Sequence, residues 1–366
     1  MATKTDALAD DATVVVIGAG VLGLTTANLL VSKYPQKHIV IVAAEFPGDA
    51  NPTPDYASMW AGAHYRPIPG RSPQLKMERE LSWRTFEVMK NVASRDPSAG
   101  VELLPAVEYL DNVSEDYEGV AENQPFAGTN DHFRLLRKEE LITGSSWGCE
   151  YQSYCVNVGI YCSWLLSKFI GKGGRVIKRR LEHAADAFEM AKQERLGPLR
   201  TIINCSGRNF DLDPRVAYIR GQTCLVRQQY NRTITKQNAD GTWFALIPRP
   251  LNGGTVVGVS KEPGDPESRP RDSTRERMLR QAVQYFPDFV SQYEDFDVVS
   301  DNVGRRPWRE GGLRMEVEHL PSSERRIIHG YGAGGRGYEL SWGIGERLVA
   351  LASGQSDGIG HLLSRL

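Results

Sequence analysis

Residues 14–23 read VVVIGAGVLG, a run of β-branched side chains that ends in Gly18, Gly20 and Gly23. The pattern predicts a strand that enters a glycine-rich turn and then a helix. Gly18 permits the tight turn, Gly20 lets backbone amides approach a pyrophosphate, and Gly23 lets the helix pack closely on the strand. The start of that helix adds unpaired N–H groups and the positive end of its dipole, which suits phosphate. Ala19, Val21 and Leu22 fill the remaining places of the turn and are expected against the same ligand. An apolar helix over 21–30 and a second apolar strand over 39–43 complete a βαβ unit, so the ligand expected here is a dinucleotide. FAD and NAD both use this motif, and the turn does not choose between them. Glu45, just past the second strand, stands where an acidic residue often holds a ribose hydroxyl. The alternative for Glu45 is a solvated loop charge.

At 366 residues the chain is long enough for a large core and two domains. A net charge of −1, a pI of about 6.7 and the lack of a basic stripe speak against nucleic acid as a partner. No run approaches the length of apolar sequence needed to span a membrane, so none is expected. The glycine motif begins within the first 20 residues, which leaves no room for a cleavable secretory signal. Cys149, Cys155, Cys162, Cys205 and Cys224 are odd in number and form no C-x-x-C. They suggest reduced thiols in an intracellular protein, with one bridging pair left open. No H-E-x-x-H or His/Cys cluster predicts a metal. The chain ends in Ser364, Arg365 and Leu366, a basic-for-basic variant of the S-K-L address. This predicts recognition by the peroxisomal import receptor and a place in the peroxisomal matrix.

Beyond the first βαβ unit comes a Pro/Gly-rich loop over 47–54, then DYASMWAGAHYRPIPG over 55–70, a stretch better suited to face a ligand than to fill a core. Residues 72–93 predict an amphipathic helix that buries part of Leu75, Met77, Leu81, Trp83, Phe86 and Met89. VELLPAVEYL, QTCLVRQQY, TWFALIPRP and GTVVGVS, within 101–110 and 217–260, predict an antiparallel sheet. Residues 151–170 predict a strand, turn and helix returning to the first domain, followed by a strand at 175–177. A polar turn over 192–198 leads to LRTIINC at 199–205, a buried strand that stops at Ser206-Gly207. A charged, Pro-rich loop over 262–275 precedes a helix to about residue 285. A strand over 326–330 runs into YGAGGRG and a helix over 338–352. The expected architecture is α/β: a Rossmann-like domain assembled from 1–62, 150–208 and 300–366. A second, α+β domain on an antiparallel sheet is expected from 63–149 and 209–299.

YGAGGRG makes physical sense by itself, because a helix N-terminus there would stabilise the negative charge of a reduced flavin. The alternative is a plain helix-start loop. With it, the chain carries VVVIGAGVLGL (14–24), YASMWAGA (56–63), INCSG (203–207), RGQT (220–223), IPRP (247–250), VGRRP (303–307), HGYGAGGRGYELSWG (329–343) and the terminal SRL. In order and spacing these resemble the D-amino acid oxidase family in its fungal-like, peroxisomal form. The resemblance implies FAD rather than NAD, a glutathione-reductase-like fold with two domains, and a homodimer. It places Ser58, Met59, Ala61, Gly62, Leu181, Cys205, Ser206, Gly207, Arg306, Gly334, Gly335, Gly337, Tyr338 and Glu339 against the cofactor, beside the first glycine turn and Glu45.

The same resemblance implies oxidative deamination of a D-amino acid by hydride transfer from Cα to flavin N5. Dioxygen then yields hydrogen peroxide, and the imine hydrolyses to a 2-oxo acid and ammonia. Arg306 stands where the family holds the substrate carboxylate, a task that suits the planar fork of arginine. Arg305 is the neighbouring competitor, and on a strand only one of the two faces the site. The carbonyl of Gly335 is expected to accept from the substrate amino group. The family's tyrosine before the I-P segment is Ala245 here. Tyr65 or Tyr230 could supply the missing contact, or a shift of register could bring Phe244 or Trp243 to line the site. His64 is expected as a hydrogen-bonded loop residue. Arg66 and Lys261 either attract an acidic substrate side chain, as in a D-aspartate oxidase, or point to solvent. A glycine or sarcosine oxidase and a non-catalytic dinucleotide-binding module are the other readings.

Overall fold

The computed structural model describes residues 6–70, 72–117, 120 and 132–355, so the terminal Ser364-Arg365-Leu366 lies outside the described residues. The chain forms two compact units. One comprises Met1–Pro52, Cys162–Tyr218 and Pro307–Leu366, the other Thr53–Tyr161 and Ile219–Arg306. The sequence reading set its boundaries at 62, 150, 208 and 300; the chain passes between units after residues 52, 161, 218 and 306.

The first unit is built on a six-stranded sheet. In spatial order its strands are Arg314–His319, Arg326–Tyr331, Thr201–Asn204, Thr13–Ile17, His38–Ala43 and Arg175–Lys178. All neighbours are parallel except the first pair. Every residue of Thr13–Ile17 is buried, as the near-continuous apolar run requires of a parallel strand covered on both faces. Val15 and Ile17 pack with Val40, Val42 and Ile202 against Ala187, Phe188, Met190 and Ala191 of the helix Asp186–Gln193. That helix was not expected, because at eight residues it is too short to show a sustained period.

The helices Val21–Lys33 and Gly337–Ala352 belong to the same unit and pack tightly on each other. A Cβ on Gly345 would lie 2.9 Å from Leu29 Cδ1, and one on Gly337 would lie 3.6 Å from Val21 Cγ1. The first turns of the two helices are therefore neighbours.

The second unit holds a ten-stranded sheet. Its main path runs Glu262–Pro263, Val216–Val226, Thr255–Val257, Trp243–Pro248, Thr233–Gln237, Val101–Leu110, Trp147–Val156 and Ala63–His64. Val298–Arg309 pairs with Val216–Val226, and Arg134–Leu135 with Trp147–Val156. The main path is antiparallel except where Thr233–Gln237 runs parallel to Val101–Leu110. Trp147–Val156 corrects the expectation that this stretch returns to the first domain. It pairs residue by residue along the whole of Val101–Leu110, and only the helix Val158–Gly171 after it leads back.

One face of this sheet is closed by the helix Asp272–Tyr285, whose Leu279 and Ala282 pack with Cys224, Val226, Phe244, Leu246 and Val257. On the other face lie Leu104, Cys155, Ala245, Ile247 and Val256. The helix Pro73–Arg95 begins where its sequence signals it, with Ser72 Oγ accepting from the amide of Leu75 at 3.1 Å and proline in the first position. All five cysteines are buried free thiols. Burial pushes Cys162 and Cys205 up to about 12. No described helix is long and apolar enough to cross a membrane.

The tightest backbone approach lies at the first glycine turn, where a Cβ on Gly23 would sit 1.9 Å from the Gly18 carbonyl oxygen. Gly23→Ala must push the helix off the strand. A loss of roughly 3 kcal/mol or more is expected in urea melts, together with loss of the cofactor from the purified protein. A variant with native stability would show that the turn tolerates this displacement.

Candidate active site

In the first unit the expected cofactor residues collect at the carboxyl ends of the parallel strands. Gly18 has a φ of +99° and donates its amide to the Val42 carbonyl at 2.8 Å. A Cβ there would meet the Cys205 carbonyl oxygen at 2.5 Å, so glycine is required for conformation and for space. The amide of Cys205 in turn donates to the Ile17 carbonyl at 2.9 Å, which ties the Cys205-Ser206-Gly207 turn to the first strand. Gly20 occupies the N-cap of Val21–Lys33 and caps no amide with a side chain; no acidic residue stands in the first turn.

Gly332 and Gly334 have φ values of +85° and +59° and carry the chain into Gly337–Ala352. The side chain of Arg336 at that N-cap makes no capping bond and pairs with Glu339, 2.6 Å from Nη2 to Oε1. Tyr338 is buried, its hydroxyl 3.1 Å from Cys162 Sγ. Glu45 and Leu181 follow the ends of paired strands, since Ala43 lies opposite Lys178. Leu181 packs on the core beside the helix Asp186–Gln193.

Two adjacent helix starts, glycines without side chains and the Ser206 Oγ, which is buried with no hydrogen-bond partner among the described residues, thus gather at the carboxyl ends of the strands. Amide donors at helix N-termini are the donor set for a pyrophosphate.

In the second unit, Ser58 and Met59 sit in the turn Ala57–Trp60, followed by Ala61 and Gly62. A Cβ on Gly62 would meet Ile247 Cδ1 at 2.9 Å, which brings this loop onto the sheet face that carries Ala245, Ile247 and Val256. The arginine pair of VGRRP divides as strand alternation demands. Arg305 binds Asp55 Oδ1 at 3.2 Å through Nη1 and the Pro266 carbonyl at 2.6 Å through Nη2. Arg306 donates from Nη1 to the Ser260 carbonyl at 3.2 Å and forms no ion pair with any described residue. Burial lowers its pKa, with Glu262 opposing.

Four expectations are corrected. Tyr65 is fully buried in an aromatic core, its ring 4.7 Å from Phe86 and 5.8 Å from Tyr154, so it packs rather than lines a site. Phe244 is likewise fully buried on the helix-covered face, stacked on Phe286 at 5.9 Å. Alternation along Trp243–Pro248 sends Phe244 and Leu246 to the helix and Ala245 and Ile247 to the opposite face. Tyr230 bonds Asp288 at 2.9 Å and packs on Phe289, away from that face. Arg66 is neither at large in solvent nor unengaged. Its Nη1 lies 2.7 Å from Oε1 of the fully buried Glu108, and its guanidinium stacks 4.6 Å over Trp243. Lys261 is exposed.

Glu108 also accepts from the Tyr117 hydroxyl at 2.9 Å and from Gln237 Nε2 at 3.1 Å. It was missed in the sequence, although a carboxylate inside the strand-like VELLPAVEYL signals a buried cation partner. His64 has a buried Nδ1 without a hydrogen-bond partner among the described residues, and burial, reinforced by Arg66, pushes its pKa down to about 3.

The chain matches the model of the FAD dependent oxidoreductase family over residues 13–351. It belongs to that family. It is 48% identical over 353 residues to a D-aspartate oxidase of Talaromyces thermophilus, covering 92% of this chain and 94% of that one. A D-amino-acid oxidase of Fusarium vanettenii is 33% identical, covering 93% and 96%. Among solved structures, glycine oxidase from Geobacillus kaustophilus superposes with a TM-score of 0.69 at 15% identity, covering 96% of each chain, and shares the fold. The cofactor of this FAD dependent oxidoreductase is FAD. The residues present fit it: the two uncapped helix starts, the glycine surfaces of the turns and the unsatisfied Ser206 hydroxyl offer what a dinucleotide pyrophosphate needs.

Two outcomes follow from the charges. Arg66→Met strands the Glu108 carboxylate in the core and is expected to destabilise by about 3–5 kcal/mol in urea melts; an unchanged midpoint would mean that Glu108 is satisfied without it. The unfolded chain protonates His64 near 6.5 but the folded chain only near 3. Stability therefore falls as pH drops through this window, by at most about 1.4 kcal/mol per pH unit from this group. His64→Asn is expected to flatten that fall, which denaturant melts at pH 4 and 7 check.

Proposed function

We propose that this FAD dependent oxidoreductase is a D-amino-acid oxidase whose foremost substrate is D-aspartate. The reaction is D-amino acid, dioxygen and water giving 2-oxo acid, ammonia and hydrogen peroxide. The observation that carries the reading is the guanidinium of Arg306, half-buried and bonded only to the Ser260 carbonyl among the described residues. A guanidinium drawn partly out of water without a counter-ion is costly, and a bidentate carboxylate offsets that cost. Arg305 cannot share the task, because its head is held by Asp55 and the Pro266 carbonyl.

Arg306 binds the α-carboxylate in one orientation and thereby fixes the direction of the Cα–H bond. Orientation of this kind supplies a large part of the rate in a reaction that needs no protein nucleophile. Ala245 packs with Leu104, Cys155, Ile247 and Val256 and offers the substrate no hydroxyl. FAD, when bound, supplies the two-electron acceptor and passes the electrons to dioxygen.

Two features support an acidic side chain. The likeness to the Talaromyces thermophilus D-aspartate oxidase extends over nearly the whole chain. Lys261 is an exposed cation directly after Ser260, whereas Arg66 is engaged by Glu108.

Anaerobic addition of D-aspartate is expected to bleach the yellow protein at far lower concentration than D-alanine. Bleaching by D-alanine alone would replace the acidic substrate with a neutral one, and bleaching by neither would remove the oxidase reading. Arg306→Ala is expected to weaken substrate binding by about 2–5 kcal/mol while FAD stays bound. Native affinity in that variant would move the carboxylate to another residue.

A further inference from the structure

Gly221 lies in the interior of the strand Val216–Val226, where glycine is unfavourable unless another group comes close. Its backbone does not require glycine, since it is absent from the residues with positive φ. What requires it is space. A Cβ on Gly221 would lie 2.1 Å from Nη1, 2.4 Å from Nη2 and 2.5 Å from Cζ of Arg306, its three nearest atoms. The guanidinium rests on the bare backbone of this one residue.

The two flanking residues point the other way and are fully buried. Arg220 donates to the carbonyls of Glu267 and Arg269, each at 2.7 Å, and pairs with Glu262. Gln222 donates from Nε2 to the Arg271 carbonyl at 2.9 Å, and its Oε1 accepts from the Arg271 amide at 2.8 Å. Its backbone amide donates to Ser260 Oγ at 2.8 Å, and its carbonyl accepts from the Ser260 amide at 3.0 Å. The Ser260 carbonyl is the acceptor for Arg306. One tripeptide thus provides the flat seat beneath the guanidinium and pins the residue that aims it.

We propose that Gly221 is a positioning residue for substrate binding: its missing side chain sets the depth and tilt at which Arg306 presents its fork to the substrate carboxylate. This rests on the reading of Arg306 as the carboxylate receptor. The three atoms that a methyl group at 221 meets first all belong to the far end of a flexible side chain, so the guanidinium shifts while the strand stays in place. A shift of about 1 Å is enough to impair a bidentate contact and the alignment it sets.

The test compares Gly221→Ala, Arg306→Ala and the double variant as holoenzymes. The titrant is whichever of D-aspartate and D-alanine reduces the wild-type flavin under anaerobic conditions. Gly221→Ala is expected to raise the substrate Kd at least tenfold, with FAD content and melting temperature unchanged. In the Arg306→Ala background the same change is expected to alter Kd less than twofold, because the group it displaces is gone. A native Kd for Gly221→Ala beside a weakened Arg306→Ala overturns the role of Gly221 alone. So does an equal effect of the methyl group in both backgrounds. A native Kd for Arg306→Ala overturns the carboxylate reading and the role of Gly221 with it. If Gly221→Ala fails to fold, recovery of the melting temperature in the double variant supports the proposal, and an equally unstable double variant overturns it.

Discussion

The first unit depends on one contact, the helix Val21–Lys33 pressed so close to its strand that nothing larger than hydrogen fits between Gly23 and the Gly18 carbonyl. That approach puts the helix start at the end of Thr13–Ile17. It also holds the Gly18 turn between the Val42 carbonyl and Cys205. The neighbouring helix then packs through Gly345 onto Leu29, which brings its own first turn beside that of the first helix. Two positive helix ends side by side would repel unless an anion lies near them. The packing that builds the core therefore also builds the demand for a phosphate-bearing ligand, and the family's FAD meets it.

In the second unit the equivalent organiser is strand alternation. The sheet must bury one face under Asp272–Tyr285, and this consumes every second residue of Val216–Val226 and Trp243–Pro248. The other face carries Leu104, Cys155, Ala245, Ile247 and Val256, and the bare backbone of Gly221 takes the guanidinium of Arg306. The RGQT and VGRRP stretches work together for this reason: one supplies the bare backbone and the other the cation that rests on it.

How much of this could be read from the chain follows from range. The glycine turn, the helix Pro73–Arg95 and the strand Arg326–Tyr331 were legible because their signals are local: a period, a cap, a glycine with one task. Trp147–Val156 was misplaced because the strand pairs with residues some forty positions earlier, and nothing within it names its partner. Phe244 and Tyr65 enter the site in the sequence as answers to the tyrosine missing at Ala245. The register of Trp243–Pro248 and the packing of Tyr65 on Phe86 reveal that both serve cores. Gly221 was quoted as part of a motif without a role, since its importance depends on a guanidinium 85 residues away.

The charges of the second unit sharpen the case for Arg306. Three other cations there are withdrawn from water, and each has its own carboxylate: Lys236 with Asp111, Arg220 with Glu262, and Arg66 with Glu108. These pairs follow the rule that a buried charge is kept only when it is neutralised. Arg306, half-buried, forms no ion pair with any described residue. Glu262, which acts on it through space, is already spent on Arg220 and Arg271. A cation without an ion pair, seated on Gly221 and bonded to the Ser260 carbonyl, favours any anion that reaches it. A seat of this kind reduces the ordering that binding must impose on the guanidinium. On the proposed reading, the cost of keeping it unpaired is recovered as affinity for the substrate carboxylate, which is the usual reason a fold retains a local conflict.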